Sequence, residues 1–435
     1  MFGPERAESV MLSWPYIGLV CGLFIVYAWS FYNLPILVAG LKSLRKSRKK
    51  SGRSPAKIES FPFFSIIVPV KNEEKVVGRL LGALSDLNYP ADKKEVIIVE
   101  DGSTDRSLEV CRAYARESRL DLKIVHGELS DGKPSALNRG IAEAKGEIVG
   151  IFDADNVPAH DALLNVCRYF EDPQVAAVQG RTLSINSEEN MLTRMISKEE
   201  DVWNEAYLRG KDTLNLFVHL KGSCQFIRRD VLEQVKGFDE NTLSEDMEMS
   251  AKATEKGYRI RYASDVRSWQ ESPCDIKELF RQRARWFRGT MEVALKYGRL
   301  MAKPSKKSFD AEVTLFGPFV LIASLVAYVA ASYVTFMPFP LGVSLQVMAQ
   351  LTALGATVIM LLSGLALIYS SKPRKITSLL WLPFIYFYWS LQAFIAFYAV
   401  ILIILRRPRN WLKTEKRGSA TVGAELLNAG VKVID

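Results

Sequence analysis

The stretch EVIIVEDGSTD, residues 95–105, decides the fold of the middle of this chain. Its first half is a short apolar run rich in β-formers, and its second half is turn chemistry leading into helical spacing from Thr104. The same unit recurs on both sides. FFSIIVPV (63–70), DLKIV (121–125) and EIVGIF (147–152) are further strand-like runs, and residues 73–87, 104–118 and 134–144 carry helical spacing between them. Alternation of this kind predicts an α/β body with a mostly parallel sheet covered by helices. Ligands of such sheets bind beyond the carboxyl ends of the strands, so the residues closing each run are the candidates for function.

The first run closes on Pro69, Lys71, Asn72, Glu73 and Glu74, and the second on Glu100, Asp101, Gly102, Ser103, Thr104 and Asp105. Ser103 or Thr104 is expected to cap the helix that follows. The fourth run ends in Asp153-Ala154-Asp155, where alternation puts two carboxylates on one side, placed to share a divalent cation with phosphate oxygens. A further acidic cluster, Asp239-Glu240 and then Glu245-Asp246-Met247-Glu248, reads either as the solvated start of a helix over 246–256 or as the source of a general base. FRQRARWFRG, residues 280–289, is cationic, amphipathic and aromatic. It suits a membrane surface, while Arg285 is suited to clamp a diphosphate and Trp286 to wall a sugar ring.

Composition narrows the chemistry. Five cysteines without a CxxC pair indicate neither a disulfide framework nor a zinc ribbon and fit a reduced, cytosol-facing body. Three histidines exclude most His-rich metal sites and leave a Ser-His-Asp hydrolase few candidates. Carboxylates must therefore carry any acid–base or metal chemistry.

The 435 residues carry a net charge of +9, and eight basic residues with no acidic one lie between Lys42 and Lys57. Nucleic-acid binding is disfavoured for this stretch, because it lacks interleaved aromatics and directly follows an apolar run over 14–41, long enough to cross a bilayer. The basic residues come after the apolar run, unlike a cleaved signal peptide, and so place the body in the cytoplasm. Three more apolar runs, 311–336, 341–369 and 379–405, lie towards the other end. Residues 337–340 are expected to join the first two as a hairpin, and Lys372, Arg374 and Lys375 to mark a cytoplasmic turn. If the run 379–405 crossed, Arg406, Arg407, Arg409, Lys413, Lys416 and Arg417 would fall outside, against the charge rule. Its Trp381, Tyr386, Tyr388, Trp389 and Tyr398 instead favour a segment lying in the interface. The expected organisation is an N-terminal membrane helix (1–44), a basic linker (45–62), a catalytic domain (63–270), interface helices (271–304), a membrane region (305–405) and a basic cytoplasmic tail (406–435).

Four separated motifs in order, VEDGSTD (99–105), Asp153-Ala154-Asp155, Ser244-Glu245-Asp246 and Gln282-x-x-Arg285-Trp286, resemble the membrane-embedded inverting glycosyltransferases of family 2, which include cellulose, hyaluronan, chitin and mannan synthases. The resemblance spans about residues 65–289. It implies a GT-A nucleotide-sugar domain inserted between membrane helices. Asp101, with Glu100 standing where the family usually has a first Asp, would hold the nucleobase, and Pro69 and Glu73 would line the same pocket. Lys133, in DGKPSALN (131–138), matches the family lysine near the phosphates. Asp153 and Asp155 would hold Mg²⁺ or Mn²⁺, and Asp246, beside Glu245, would be the general base. Gln282, Arg285 and Trp286 resemble the motif that closes over the diphosphate and the acceptor, while Gly222 and Ser223 would line the acceptor channel. NWLKTEK (410–416) looks like a cytoplasmic tract of mannan-synthase-like members.

The leading expectation is therefore transfer of a hexose or N-acetylhexosamine, from a UDP-sugar by preference, to a growing β-linked glycan that is fed into a membrane channel. Transfer of one sugar to a lipid such as a polyprenyl phosphate or a diacylglycerol is the alternative. A membrane sensor that binds a nucleotide sugar without turnover is the non-enzymatic one.

Overall fold

A computed structural model describes residues 14–49, 60–118, 120–298, 304–336, 343–370, 376–409 and 414–418. The connection 337–340, the basic turn 372–375, part of the basic linker, Trp411 and Lys413, and the chain beyond 418 lie outside the described residues.

The middle of the chain forms one eight-stranded sheet: β1 (Phe64–Val70), β2 (Lys94–Asp101), β3 (Leu122–Gly127), β4 (Ile148–Ile151), β5 (Val157–Pro158), β6 (Val175–Ser184), β7 (Gln225–Arg228) and β8 (Arg259–Gln270). Their spatial order is β3-β2-β1-β4-β7-β6-β8-β5. The first four strands pair in parallel, as the sequence alternation predicts. β7 then enters antiparallel between β4 and β6, and β6 pairs in parallel with β8, so the sheet is mixed.

Period-two alternation sends the apolar residues of the parallel strands to two opposite faces of the sheet. Ile66, Val68, Val70 and Ile98 enter one core with Leu80, Leu81 and Phe226, while Ile67, Ile97 and Val99 enter another with Leu137, Val149 and Ile227. Both faces are covered by helices, among them Val77–Ser85 and Lys133–Glu143. Neither Ser103 nor Thr104 caps the helix Ser107–Glu117, contrary to expectation. Asn72 captures that turn from the first strand: Thr104 N donates to its Oδ1 at 2.7 Å, and its own N donates to Ser103 Oγ at 3.0 Å. Asp105 Oδ1 instead accepts from Ser107 N at 2.9 Å.

Three helices are long and apolar enough to cross a membrane, spanning Tyr16–Ser47, Leu345–Ser370 and Ile376–Ile404, with a fourth span if the helices Lys306–Leu315 and Gly317–Tyr333, bent by 53°, count as one. The first is tied to the body where Gly40 meets the backbone of Ala206: a Cβ on Gly40 would stand within 3.0 Å of three Ala206 atoms. The helix Leu382–Ile404 packs lengthwise on the amphipathic helix Ile276–Tyr297. Tyr388 lies with Leu279 at one end, Phe280 meets Tyr398 with ring centroids 5.2 Å apart, and Ala396 and Ala399 pack with Met291. Beyond it, Arg288 Nη2 donates to Arg407 O at 2.6 Å. This segment thus touches the body at both ends.

Candidate active site

The parallel strands bring residues 70–73, 101–105 and 152–155 to one edge of the sheet, and three carboxylates there surround a lysine. Lys133 is the first residue of the helix Lys133–Glu143. Its Nζ lies 2.7 Å from Asp153 Oδ1 and 3.2 Å from Glu245 Oε1, and donates to Gly222 O at 3.1 Å. Burial works against the ammonium, but Asp153 and Glu245 outweigh it and hold its pKa raised. Asp246 opens the helix Glu245–Glu255, and its Oδ1 accepts from Met247 N at 2.7 Å and from Ser244 Oγ at 3.1 Å. Burial, then the neighbouring Glu245 charge, push the Asp246 carboxyl up to about 6, against the pull of Lys133.

Gly222 is the backing of this cluster. Its φ is +79°, and a Cβ there would stand 3.2 Å from Lys133 Nζ and 3.3 Å from Asp246 Oδ2. Ser223, fully buried, accepts from Asp153 N through Oγ at 3.0 Å. These two residues, expected to line an acceptor channel, thus stand between the Asp153 and Asp246 carboxylates.

Gln282, Arg285 and Trp286 share one face of the helix Ile276–Tyr297 by their i, i+3, i+4 spacing. Arg285 stands within electrostatic reach of Glu245, Asp246 and Asp153, which oppose the lowering of its pKa by burial. Trp286 faces Arg283, whose guanidinium carbon is 4.3 Å from the ring centroid.

Glu100 and Asp101 are buried and committed to the chain. Glu100 accepts from Ser103 N at 2.5 Å and meets His126 Nδ1 at 2.6 Å. Asp101 accepts from Ser130 Oγ at 2.6 Å, from Gly132 N at 3.2 Å and from Arg139. Asp101 therefore fixes the loop 128–132 that leads to Lys133, while Glu100 fixes the turn at Ser103. Pro69 lies in β1 opposite Val99, and Glu73 N donates to Ser107 Oγ at 2.7 Å.

Asp153 and Asp155, the expected cation ligands, each meet an ammonium group. Asp155 is buried, and its Oδ2 accepts from Glu271 N at 3.0 Å and meets Lys416 Nζ at 2.7 Å, whereas Asp153 turns to Lys133. The reason is electrostatic: buried carboxylates need a counter-charge, and two ammonium groups supply it. Among the described residues no three His, Cys, Asp or Glu side chains form a metal-binding group. Two hard carboxylate ligands fit a cation that takes the rest of its shell from phosphate oxygens, not an all-protein cage.

Sequence reasoning missed three participants. Lys416 reaches Asp155 from the tail and also donates to Glu271 O at 3.0 Å, and it lies within electrostatic reach of Glu73 and Asp153. Lys221 directly precedes Gly222. Glu200, pushed up to about 7 by burial despite Lys221, stands on the helix Met191–Val202 beside Glu199, which meets Arg283 at 3.5 Å. For Glu200 the signal available in the sequence was the run of adjacent charges Glu199-Glu200-Asp201.

This arrangement is that of a transferase acting on a nucleotide sugar, and the chain belongs to glycosyltransferase family 2: the model described as "Glycosyltransferase like family 2" matches residues 62–289. It is 28% identical over 297 residues to the probable glycosyltransferase YdaM of Bacillus subtilis, covering 68% of this chain and 71% of that one. It is 31% identical over 268 residues to a β-monoglucosyldiacylglycerol synthase of Nostoc, covering 60% of this chain and 57% of the relative. A poly-β-1,6-N-acetyl-D-glucosamine synthase of Staphylococcus epidermidis is 29% identical over 275 residues, covering 63% and 64%. The GT-A fold is shared with a mannosyltransferase from Pyrobaculum calidifontis, solved in complex with GDP-Man and Mn²⁺, at a TM-score of 0.56 and 21% identity, covering 88% of this chain and all of that one. The protein is a glycosyltransferase.

Proposed function

We propose that the chain transfers a hexose or N-acetylhexosamine from a nucleoside diphosphate sugar, UDP-linked by preference, to an acceptor hydroxyl at a membrane surface, with inversion. The observation that carries this reading is Asp246, a half-buried carboxylate raised towards neutrality beside the Lys133–Asp153–Glu245 cluster. A base near neutral pKa takes the acceptor proton as that oxygen attacks the anomeric carbon, while the bond to the diphosphate breaks and its electrons leave with the nucleotide. Lys133 and Arg285 are the cations placed to hold the departing charge. Glu245 keeps Lys133 in place and raises Asp246. Asp101 shapes the base end of the donor site through the loop 128–132 and Glu100 through Ser103 and His126, with Pro69 and Glu73 alongside. A divalent cation, Mg²⁺ or Mn²⁺, would be held by Asp153 and Asp155 and would neutralise diphosphate charge. Gln282 and Trp286 line the acceptor side with Gly222 and Ser223.

The acceptor is a growing β-linked glycan in this reading, in keeping with the Gln282-x-x-Arg285-Trp286 motif beside membrane helices and with the N-acetylglucosamine polymer synthase among the relatives. The second reading, one sugar placed on a membrane lipid, is favoured by the 31% identity to a synthase named for a glucosyldiacylglycerol product. Purified protein in nanodiscs, given labelled donor in excess, separates them. A ladder of water-soluble products supports the polymer, and a single product that partitions into organic solvent supports the lipid acceptor.

A further inference from the structure

A pocket of about 570 Å³ lies where the helix Ile276–Tyr297 meets the end of the helix Leu382–Ile404. Arg288, Glu292, Ile403, Arg406, Arg407 and Arg409 line it. Glu292 is already neutralised: Arg288 Nε reaches it at 2.9 Å and Arg409 Nε at 3.0 Å. The rest of the Arg288 fork donates to Arg407 O at 2.6 Å and Pro408 O at 3.1 Å. Arg406 and Arg407, both exposed, have no side-chain hydrogen bond or ion pair among the described residues. Four arginines and one glutamate therefore line one concavity, a net charge of +3, and only Arg288 and Arg409 meet the carboxylate. Like charges lining one concavity are costly unless an anion joins them, and guanidiniums match a phosphate in shape.

The rim decides the source of that anion. Leu295, Ile404 and Leu405 stand exposed beside the pocket, at the end of a segment apolar enough to cross a membrane. A soluble phosphate has no use for such a rim, whereas a lipid supplies the phosphate and the apolar body together. Basic pockets beside membrane helices are suited to anionic headgroups.

We propose that this pocket binds the phosphate-bearing headgroup of an anionic membrane lipid. The site is linked to the catalytic loop, because Arg409 Nη1 donates at 3.1 Å to Asn241 O, in the turn leading to Ser244-Glu245-Asp246. It does not depend on which acceptor the enzyme uses.

The test is native mass spectrometry of the full-length protein released from nanodiscs of equal phosphatidylglycerol and phosphatidylcholine, compared with the Arg406→Gln/Arg407→Gln double variant. Donor binding by both proteins establishes that both are folded. The expected result is preferential retention of phosphatidylglycerol, falling roughly tenfold or more in the variant and unmoved by millimolar inorganic phosphate. Equal retention of the two lipids, or a preference that survives the double substitution, overturns the proposal. Displacement of the lipid by inorganic phosphate overturns the lipid source and makes the pocket a site for a soluble anion.

Discussion

At the scale of single residues, Asp246 is where burial has been turned into chemistry. Its carboxyl is pushed up to about 6 because its surroundings disfavour charge, and the base role needs the ionised form. Turnover should therefore be full above that value and fall as pH drops through about 6, which a kcat–pH profile at saturating donor measures. Asp246→Asn should lower kcat by roughly 10²–10⁴-fold while leaving donor affinity nearly unchanged. Unchanged turnover in that variant would remove Asp246 from the base role. Gly222 makes a separate prediction, since Ala there combines a positive φ with a Cβ pressed on Lys133 and Asp246. Gly222→Ala should cost about 1–3 kcal/mol of stability and depress turnover, and a thermal melt with and without nucleoside diphosphate reads both.

At the scale of elements, the short helix Arg209–Thr213 is joined to the elbow helix Lys306–Leu315 by one fully buried ion pair. Lys211 Nζ lies 2.9 Å from Asp310 Oδ1 and donates to Thr314 Oγ1, and Phe217 N donates to Asp310 Oδ2 at 2.6 Å. Removing one partner strands the other charge, so Asp310→Asn should destabilise the protein by about 3–5 kcal/mol. An unshifted melting temperature would show that this pair does not join the catalytic body to the membrane elbow. The elements also mark what could be read from the sequence. The strands β1, β2 and β4 were legible because both of their faces are buried, which writes their centres as continuous apolar runs. The capping of the helix Ser107–Glu117 was not, because Asn72, some thirty positions earlier, takes Ser103 and Thr104 for itself. The orientation of Asp155 was out of reach for the same reason: its backbone donor is Glu271, 116 positions away, and its counter-charge comes from the tail.

At the scale of the whole molecule, a nucleotide-sugar fold sits against helices suited to a bilayer, with the helix Ile276–Tyr297 in contact with both. That helix carries Arg285 to the carboxylate cluster and Phe280, Phe287 and Met291 to the helix Leu382–Ile404. The aromatic content of 379–405 favoured a segment lying in the membrane interface, whereas the helical stretch Ile376–Ile404 is also long and apolar enough to cross. The tail closes the circuit by placing Lys416 on Asp155. Lys416→Ala removes a competing cation from that carboxylate. It should tighten Mn²⁺ binding several-fold, by titration calorimetry in the absence of donor, if Asp153 and Asp155 are the cation ligands. Unchanged affinity would separate Asp155 from the metal.

The central claim is tested most directly by release of nucleoside diphosphate from UDP-glucose, UDP-N-acetylglucosamine, UDP-galactose and GDP-mannose by the purified protein in nanodiscs with Mn²⁺ or Mg²⁺, with Asp246→Asn run alongside. Release from at least one donor is expected, dependent on a divalent cation and lost in the variant. Binding and turnover absent across the panel, or release that persists in the variant, would contradict it.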